Sequence, residues 1–296
     1  MSDFSHLLPE VAGIMDRPTS DRIAFANKEV WIGYPRAHRV LDALEDLVNM
    51  PKTLRMPNIL LVGDSGNGKS TIVKSFRERH EAYVEQGGTP VVPVLVAEMP
   101  SEPSESRFWS SILDSLMVAH RPADNVQRKE AQAMSILRCC ETKVLIVDEI
   151  HNLLFGHARQ QRQFLGVLKN LSNRLQIPIV AVGTRDAIRA IHTDTQLSSR
   201  FEPVALPRWE LNREYLMLLA SFERLMPLAE LSSLGSKELA IRIFSMSGGT
   251  IGGTAGVIKK ATIHAIRSGK EKIDVDCLKS IEWVKLADYG KAADRL

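Results

Sequence analysis

The clearest chemistry in the chain lies in eight consecutive residues. Gly63-Asp64-Ser65-Gly66-Asn67-Gly68-Lys69-Ser70 fits G-x-x-x-x-G-K-[S/T] without a mismatch. Glycines at these positions let the main chain turn tightly, so that its N–H groups point inward around phosphate oxygens. A following helix adds the positive end of its dipole. Lys69 then reaches the β- and γ-phosphates, and the Ser70 hydroxyl offers a ligand for Mg²⁺. With Thr71, which follows on the helix, this loop forms the candidate nucleotide-binding set. The competing reading is a glycine turn that happens to precede a lysine. The flanks argue against it, because an apolar run, Asn58 to Gly63, leads in and a helix-like segment leads out.

A second constellation is Val144-Leu145-Ile146-Val147-Asp148-Glu149. Four apolar residues deliver two carboxylates to the C-terminal end of a strand, where open α/β sheets bind their ligands. Asp148 suits a Mg²⁺ ion, directly or through water, and Glu149 suits the orientation and deprotonation of an attacking water. Alone the pattern is weak, since buried strands often end in acids. Its place after the phosphate loop, with a strand and helix between, makes the two features support each other. A nucleotide-binding chain lacking this glutamate would be a switch; with it, hydrolysis is expected.

Two further residues extend the set. The run Ile179 to Gly183 delivers Thr184, whose hydroxyl either senses the γ-phosphate and positions water or caps the helix that follows. Ser198-Ser199-Arg200-Phe201 offers a guanidinium, which matches phosphate geometry. On its chemistry alone Arg200 reads as a surface ion pair. His151, in Asp148-Glu149-Ile150-His151, reads as structural.

The elements that must position these groups alternate. Strands are expected at Asn58–Gly63, Val91–Ala97 (an edge strand, given Pro93), Lys143–Asp148 and Ile177–Gly183. Helices are expected at Pro35–Val48, Lys69–Tyr83, Phe108–Ala119 and Arg159–Leu175. Apolar strands separated by helices predict a parallel sheet covered on both faces. After Leu206 only helical patterns follow: Leu211–Leu225, Ser236–Met246, Thr254–Ser268 and a short one after Asp274. The expected organisation is an N-terminal arm and linker helix over 1–50, an α/β nucleotide-binding core over 51–206 and a small all-α lid over 207–296.

Composition removes other classes. The 296 residues carry 38 Lys and Arg against 35 Asp and Glu, a formal charge of +3, too mild to argue for nucleic acid or against it. No apolar run is long enough to cross a bilayer, and no signal peptide is visible at the N-terminus. Cys139, Cys140 and Cys277 form neither a disulfide framework nor a zinc site. A reducing cytoplasm is the simplest expectation, with the Cys139–Cys140 pair as buried small hydrophobes.

Taken in order, GDSGNGKS, VLIVDE, IVAVGT and QLSSRF followed by helices resemble an AAA+ ATPase. More narrowly, the chain resembles the TniB/TnsC family of transposition regulators, through Trp31-Ile32-Gly33-Tyr34-Pro35, Met56-Pro57-Asn58-Ile59-Leu60-Leu61-Val62-Gly63-Asp64 and Gln196-Leu197-Ser198-Ser199-Arg200-Phe201. The resemblance covers roughly residues 22–265. It implies an ATPase that assembles as a ring or helical filament on double-stranded DNA. Such an ATPase links a target selector to a DDE-type transposase, and its hydrolysis takes the filament apart. It implies Lys69 and Ser70 at the phosphates and Mg²⁺, Asp148 and Glu149 as the Walker B pair, and Thr184 as sensor 1. Arg200 becomes the finger that reaches a neighbour's γ-phosphate. Ile32 and Tyr34 become the surface against adenine, the alternative for Trp31 and Tyr34 being core packing.

One departure stands out. Gly248-Gly249-Thr250-Ile251-Gly252-Gly253-Thr254-Ala255-Gly256 occupies the place of a sensor 2 motif and holds no arginine; Lys259 and Lys260 follow. Either a lysine substitutes or sensor 2 is absent, and slow, assembly-dependent turnover is expected. Duplex DNA calls for positive charge. From Ile150 to Arg200 the chain carries Arg159, Arg162, Lys169, Arg174, Arg185, Arg189 and Arg200 against Asp186 and Asp194. Arg159 and Arg162, just after the acid pair, are the DNA candidates, with a solvated helix face as the alternative. The rival functions are a replication loader of the IstB/DnaC kind, a small-molecule P-loop kinase, and a signalling switch acting only through protein binding.

Overall fold

The computed structural model describes residues 4–192 and 198–284. Gln196, Leu197 and Asp194, and the end of the expected lid from 285, lie outside the described residues. The chain divides into two compact units: 35–65 with 69–207, and 1–34 with 66–68 and 208–296.

The first unit is α/β. Its five-stranded sheet comprises β1 (Asn58–Gly63), β4 (Val94–Glu98), β5 (Val144–Asp148), β6 (Ile179–Gly183) and β7 (Phe201–Leu206), in the order β4-β5-β6-β1-β7. Every pairing is parallel, with Leu60 opposite Ala181, Gly63 opposite Leu206 and Glu98 opposite Asp148. The Val, Ile and Leu runs of β1 and β6 are buried throughout, as expected of strands covered on both faces. β4 is an edge strand, as Pro93 suggests, but it starts only at Val94. Pro90–Val91 (β3) instead pairs antiparallel with Tyr83–Val84 (β2) in a separate ribbon.

The helices of this unit are α3 (Pro35–Asn49), α4 (Lys69–Arg79), α5 (Glu105–Ser115), α6 (Val126–Cys139), α7 (Ala158–Leu175) and α8 (Asp186–Ile191). In α7 the 3.6-residue spacing of Phe164, Leu168, Leu171 and Leu175 puts all four in the core. There they join Leu145, Val147 and Ala181 of the sheet and Phe108 and Ile112 of α5. α4 ends at Arg79, four residues short of the expected Tyr83. α6 and β7 were not legible as elements. α6 starts at an N-cap, Asn125, whose side chain accepts the Arg128 N–H. The cysteine pair separates: Cys140 is buried, whereas Cys139 is exposed. The helical turn that carries one inward carries its neighbour outward.

The second unit is all-α among its described residues. It holds α1 (Pro9–Ala12), α2 (Thr19–Ala26), α9 (Arg213–Glu223), α10 (Lys237–Ser247), α11 (Ile251–Ser268) and α12 (Val275–Ser280). Asn212, Thr250 and Asp274 cap α9, α11 and α12 by accepting the N–H three residues on. The N-terminal arm packs here: Leu7, Val11 and Met15 cluster with Leu225 and Ala229. Arg22 donates to the Pro227 carbonyl and pairs with Glu271. No described helix is long and apolar enough to cross a membrane.

Candidate active site

Three neighbouring strand ends bring the predicted α/β residues together. β1 runs into the phosphate loop, β6 delivers Thr184 and β5 delivers Asp148 and Glu149; β6 lies between the other two. The loop turns through Gly66 and Gly68, both left-handed at φ 71° and 87°, a region that a Cβ disfavours. Lys69 opens α4 and is buried. Its ammonium donates to the carbonyls of Gly63 (2.9 Å) and Asp64 (3.1 Å), at the root of its own loop. Burial lowers its pKa from the usual lysine value, while the carboxylates of Asp148, Glu149 and Asp64 pull the other way. Ser65, Gly66, Ser70 and Thr71 are exposed, Asp64 is half-buried and Asn67 is buried.

The acid pair has a fixed main chain. Glu149 sits in the left-handed region (φ 56°, ψ 32°), and its own N–H donates to Asp148 Oδ1 at 2.8 Å. Its carboxylate oxygen Oε2 lies 3.1 Å from His151 Nε2. Both carboxylates border a cleft of about 890 Å³ that also takes in Arg77, Ser101, Arg107 and Ser111. Thr184 is half-buried. The N-cap position of α8 belongs to Arg185, and no side chain caps that helix, so the capping role weighed for Thr184 is not used. Arg185, which sequence reasoning did not single out, pairs with Asp64 at 2.8 Å. Its position directly after Thr184 was the signal available.

Of the other predicted residues, Arg200, Arg159 and Arg162 belong to the α/β unit and Ile32 and Tyr34 to the helical one, where a Cβ on Gly68 would come 3.7 Å from the Tyr34 hydroxyl. The Arg200 carbonyl accepts the N–H of Asn58, the first residue of β1, and its Nη1 donates to Asn173 on α7 at 2.9 Å. That is the end of β1 opposite to the phosphate loop. Arg159 and Arg162 lie exposed on the first turns of α7. Ile32 and Tyr34 belong to the helical unit and are 8% and 7% exposed. Tyr34 makes an edge contact with Trp209 at 5.0 Å between ring centroids. In the same unit Gly252, in the first turn of α11, donates its N–H to the Gly66 carbonyl at 2.8 Å. Lys259 and Lys260 donate to the carbonyls of Asn27 and Glu282.

Comparison with known proteins decides the lineage. Residues 22–211 match the family described as "Bacterial TniB protein". The chain belongs to the TniB family. No curated protein sequence matches this TniB-family chain significantly. Solved structures share its fold at low identity. The Aeropyrum pernix ORC1 protein in complex with DNA has a TM-score of 0.58 at 14% identity, over 87% of this chain and 68% of that one. The Aeropyrum pernix ORC2 protein, solved as ADPNP-ADP complexes, has a TM-score of 0.56 at 15% identity, over 87% and 70%. The Thermotoga maritima RuvB Holliday junction branch migration motor has 0.52 at 17%, over 86% and 71%. The TniB-family chain therefore has an AAA+ fold: a parallel sheet between helices, followed by a helical C-terminal part.

Proposed function

We propose that this TniB-family chain is an ATPase that assembles on duplex DNA in its ATP state and links target selection to a DDE-type transposase. The observation that carries the reading is the meeting of Lys69, Thr184 and the Asp148–Glu149 pair at adjacent strand ends of an AAA+ fold. The main-chain N–H groups of the phosphate loop and Lys69 bind the phosphates. Glu149 takes the proton of the attacking water, and Thr184 holds that water or the γ-phosphate. Ile32 and Tyr34 offer the adenine an apolar and an aromatic surface.

A magnesium ion fits the donor set. Among the described residues no cluster of three or more His, Cys, Asp or Glu could hold a metal alone. The hydroxyl of Ser70 and the carboxylate of Asp148 are hard oxygen donors of the kind that hold Mg²⁺ together with substrate phosphates and water. When bound, the ion neutralises charge on the β- and γ-phosphates. Arg200, at the far end of β1, serves a neighbouring subunit, so turnover depends on assembly. The exposed Arg159 and Arg162 contribute to DNA binding. The DNA complex of ORC1, which shares the fold, supports that part of the reading.

The test is co-assembly. The protein is mixed with duplex DNA and either ATP, a non-hydrolysable analogue or ADP, then examined by electron microscopy. Rings or filaments on DNA with the first two and not with ADP are expected. Assembly indifferent to nucleotide or to DNA overturns the reading.

A further inference from the structure

His151 follows the acid pair by two residues and has one feature that a solvated surface histidine lacks. Its Nε2 lies 3.1 Å from Glu149 Oε2. Its Nδ1 is buried, and no hydrogen-bond partner lies within reach. The ring is seated against the end of β6: a Cβ on Gly183 would come 3.3 Å from Nδ1 and 2.9 Å from the Ala187 Cβ. Gly183 directly precedes Thr184.

These contacts fix the proton. A proton on Nδ1 would be a buried donor with no acceptor, which costs more than a bare lone pair in the same place. The doubly protonated ring carries the same penalty. The neutral ring with hydrogen on Nε2 avoids it and gives Glu149 a charge-assisted hydrogen bond. His151 is then a donor to the carboxylate and not a second base.

We propose that His151 is a positioning residue for Glu149, holding Oε2 through Nε2–H so that Oε1 is the oxygen that accepts the water's proton. The proposal rests on the reading of Glu149 as the hydrolytic base. Three restraints converge on that residue: the Asp148 carboxylate on its N–H, the Asn152 N–H on its carbonyl (2.9 Å) and His151 on its side chain. Through Gly183 the same ring ties the base to the strand that carries Thr184. A base oriented by a third group is the general arrangement for activating a weak nucleophile.

Two measurements test it. Long-range ¹H–¹⁵N spectra of the full chain with ¹⁵N-labelled histidine should show a ring protonated at Nε2 alone, with an Nε2 shift that moves in Glu149→Ala. A proton on Nδ1, or no response to Glu149→Ala, overturns the pairing whether or not the protein hydrolyses ATP. In assembled protein, His151→Leu should keep ATP affinity and the thermal transition while kcat falls by about tenfold or more. His151→Gln, whose amide nitrogen reaches the place of Nε2, should recover most of that loss; the shorter His151→Asn should not. An unchanged kcat in His151→Leu, or a matching loss of ATP affinity, overturns the positioning role. A wild type without ATP turnover but with the Nε2–H spectrum intact overturns the hydrolytic reading, and the role with it, while the pair itself stands.

Discussion

Arg185 grips the phosphate loop by two points, Nε to Asp64 Oδ1 at 2.8 Å and Nη2 to Asp64 Oδ2 at 3.3 Å. The backbone carbonyl of the same Asp64 accepts the Lys69 ammonium. One residue, Asp64, therefore links the strand end that carries Thr184 to Lys69.

Removing that grip should weaken nucleotide binding more than folding. The Arg185 side chain is 70% exposed, so the pair contributes less than about 1 kcal/mol to stability. Without the guanidinium, the Asp64 carboxylate loses its Arg185 pair and repels phosphate charge more strongly. Arg185→Ala should lower ATP affinity by roughly fivefold, about 1 kcal/mol. Asp64→Asn in the same chain should restore most of it. Titration with a fluorescent nucleotide checks both; equal affinities in Arg185→Ala and wild type would refute the coupling.

A different constraint acts where β1 meets β7. Gly63 lies opposite Leu206, and a Cβ there would come 2.8 Å from the Leu206 carbonyl oxygen. Main chain crowds main chain, so no side-chain rotation relieves the contact. Gly63→Ala should cost about 1–3 kcal/mol of stability and displace the loop that starts at this residue. A lower melting temperature together with weaker nucleotide binding is expected. An unchanged melting curve would mean that the strands part without cost.

The phosphate loop, the acid pair and the parallel sheet were legible because each is written in consecutive residues. The apolar run ending in Gly63 leads straight into the eight-residue motif, and the run ending in Asp148, weak alone, gains from its place after that motif. β7 was less legible. Phe201-Glu202-Pro203-Val204-Ala205-Leu206 is buried only at its two ends, lies at the sheet edge and contains a proline, which the edge tolerates. α6 was missed because Lys129, a charged residue in its inner face, interrupts the apolar stripe; its ammonium is satisfied by Ser106 and the Pro122 carbonyl. The tie from His151 to Glu149 was hidden for a third reason. It depends on a left-handed residue and on a glycine in another strand, and neither leaves a local pattern.

Tyr215 gives a pH-dependent check on the helical unit. Its hydroxyl is buried 3.0 Å from Thr254 Oγ1. Burial raises its pKa above the usual 10.0, and hydrogen bonds to Thr254 and Ser247 offset part of the rise. A phenol with a raised folded pKa contributes stability that is complete below the unfolded value and lost as pH climbs through the folded one. Near neutral pH Tyr215→Phe should be less stable by about 1 kcal/mol, for the lost hydrogen bond. Above pH 10 the gap should close, because only the wild type must then keep a buried phenol protonated. Melting temperatures of both proteins across that range check it; a constant gap refutes the assignment.

Arg200 yields the sharpest test of assembly. Its carbonyl is hydrogen-bonded to the first residue of β1, whereas the phosphate loop begins at the last. Five residue steps at about 3.3 Å put roughly 17 Å between those ends, far more than an arginine side chain spans. A catalytic Arg200 must therefore act on a neighbour's nucleotide. Arg200→Ala should bind ATP normally and lose turnover; Lys69→Ala should lose binding while still presenting Arg200. Neither protein alone should hydrolyse ATP. Mixed before DNA and ATP are added, they create interfaces where an intact phosphate loop faces an intact Arg200. At equal amounts and random order about a quarter of the subunits lie at such an interface, so about a quarter of the wild-type rate should return. A mixture as inactive as its parts would place Arg200 in a structural role, held by Asn173.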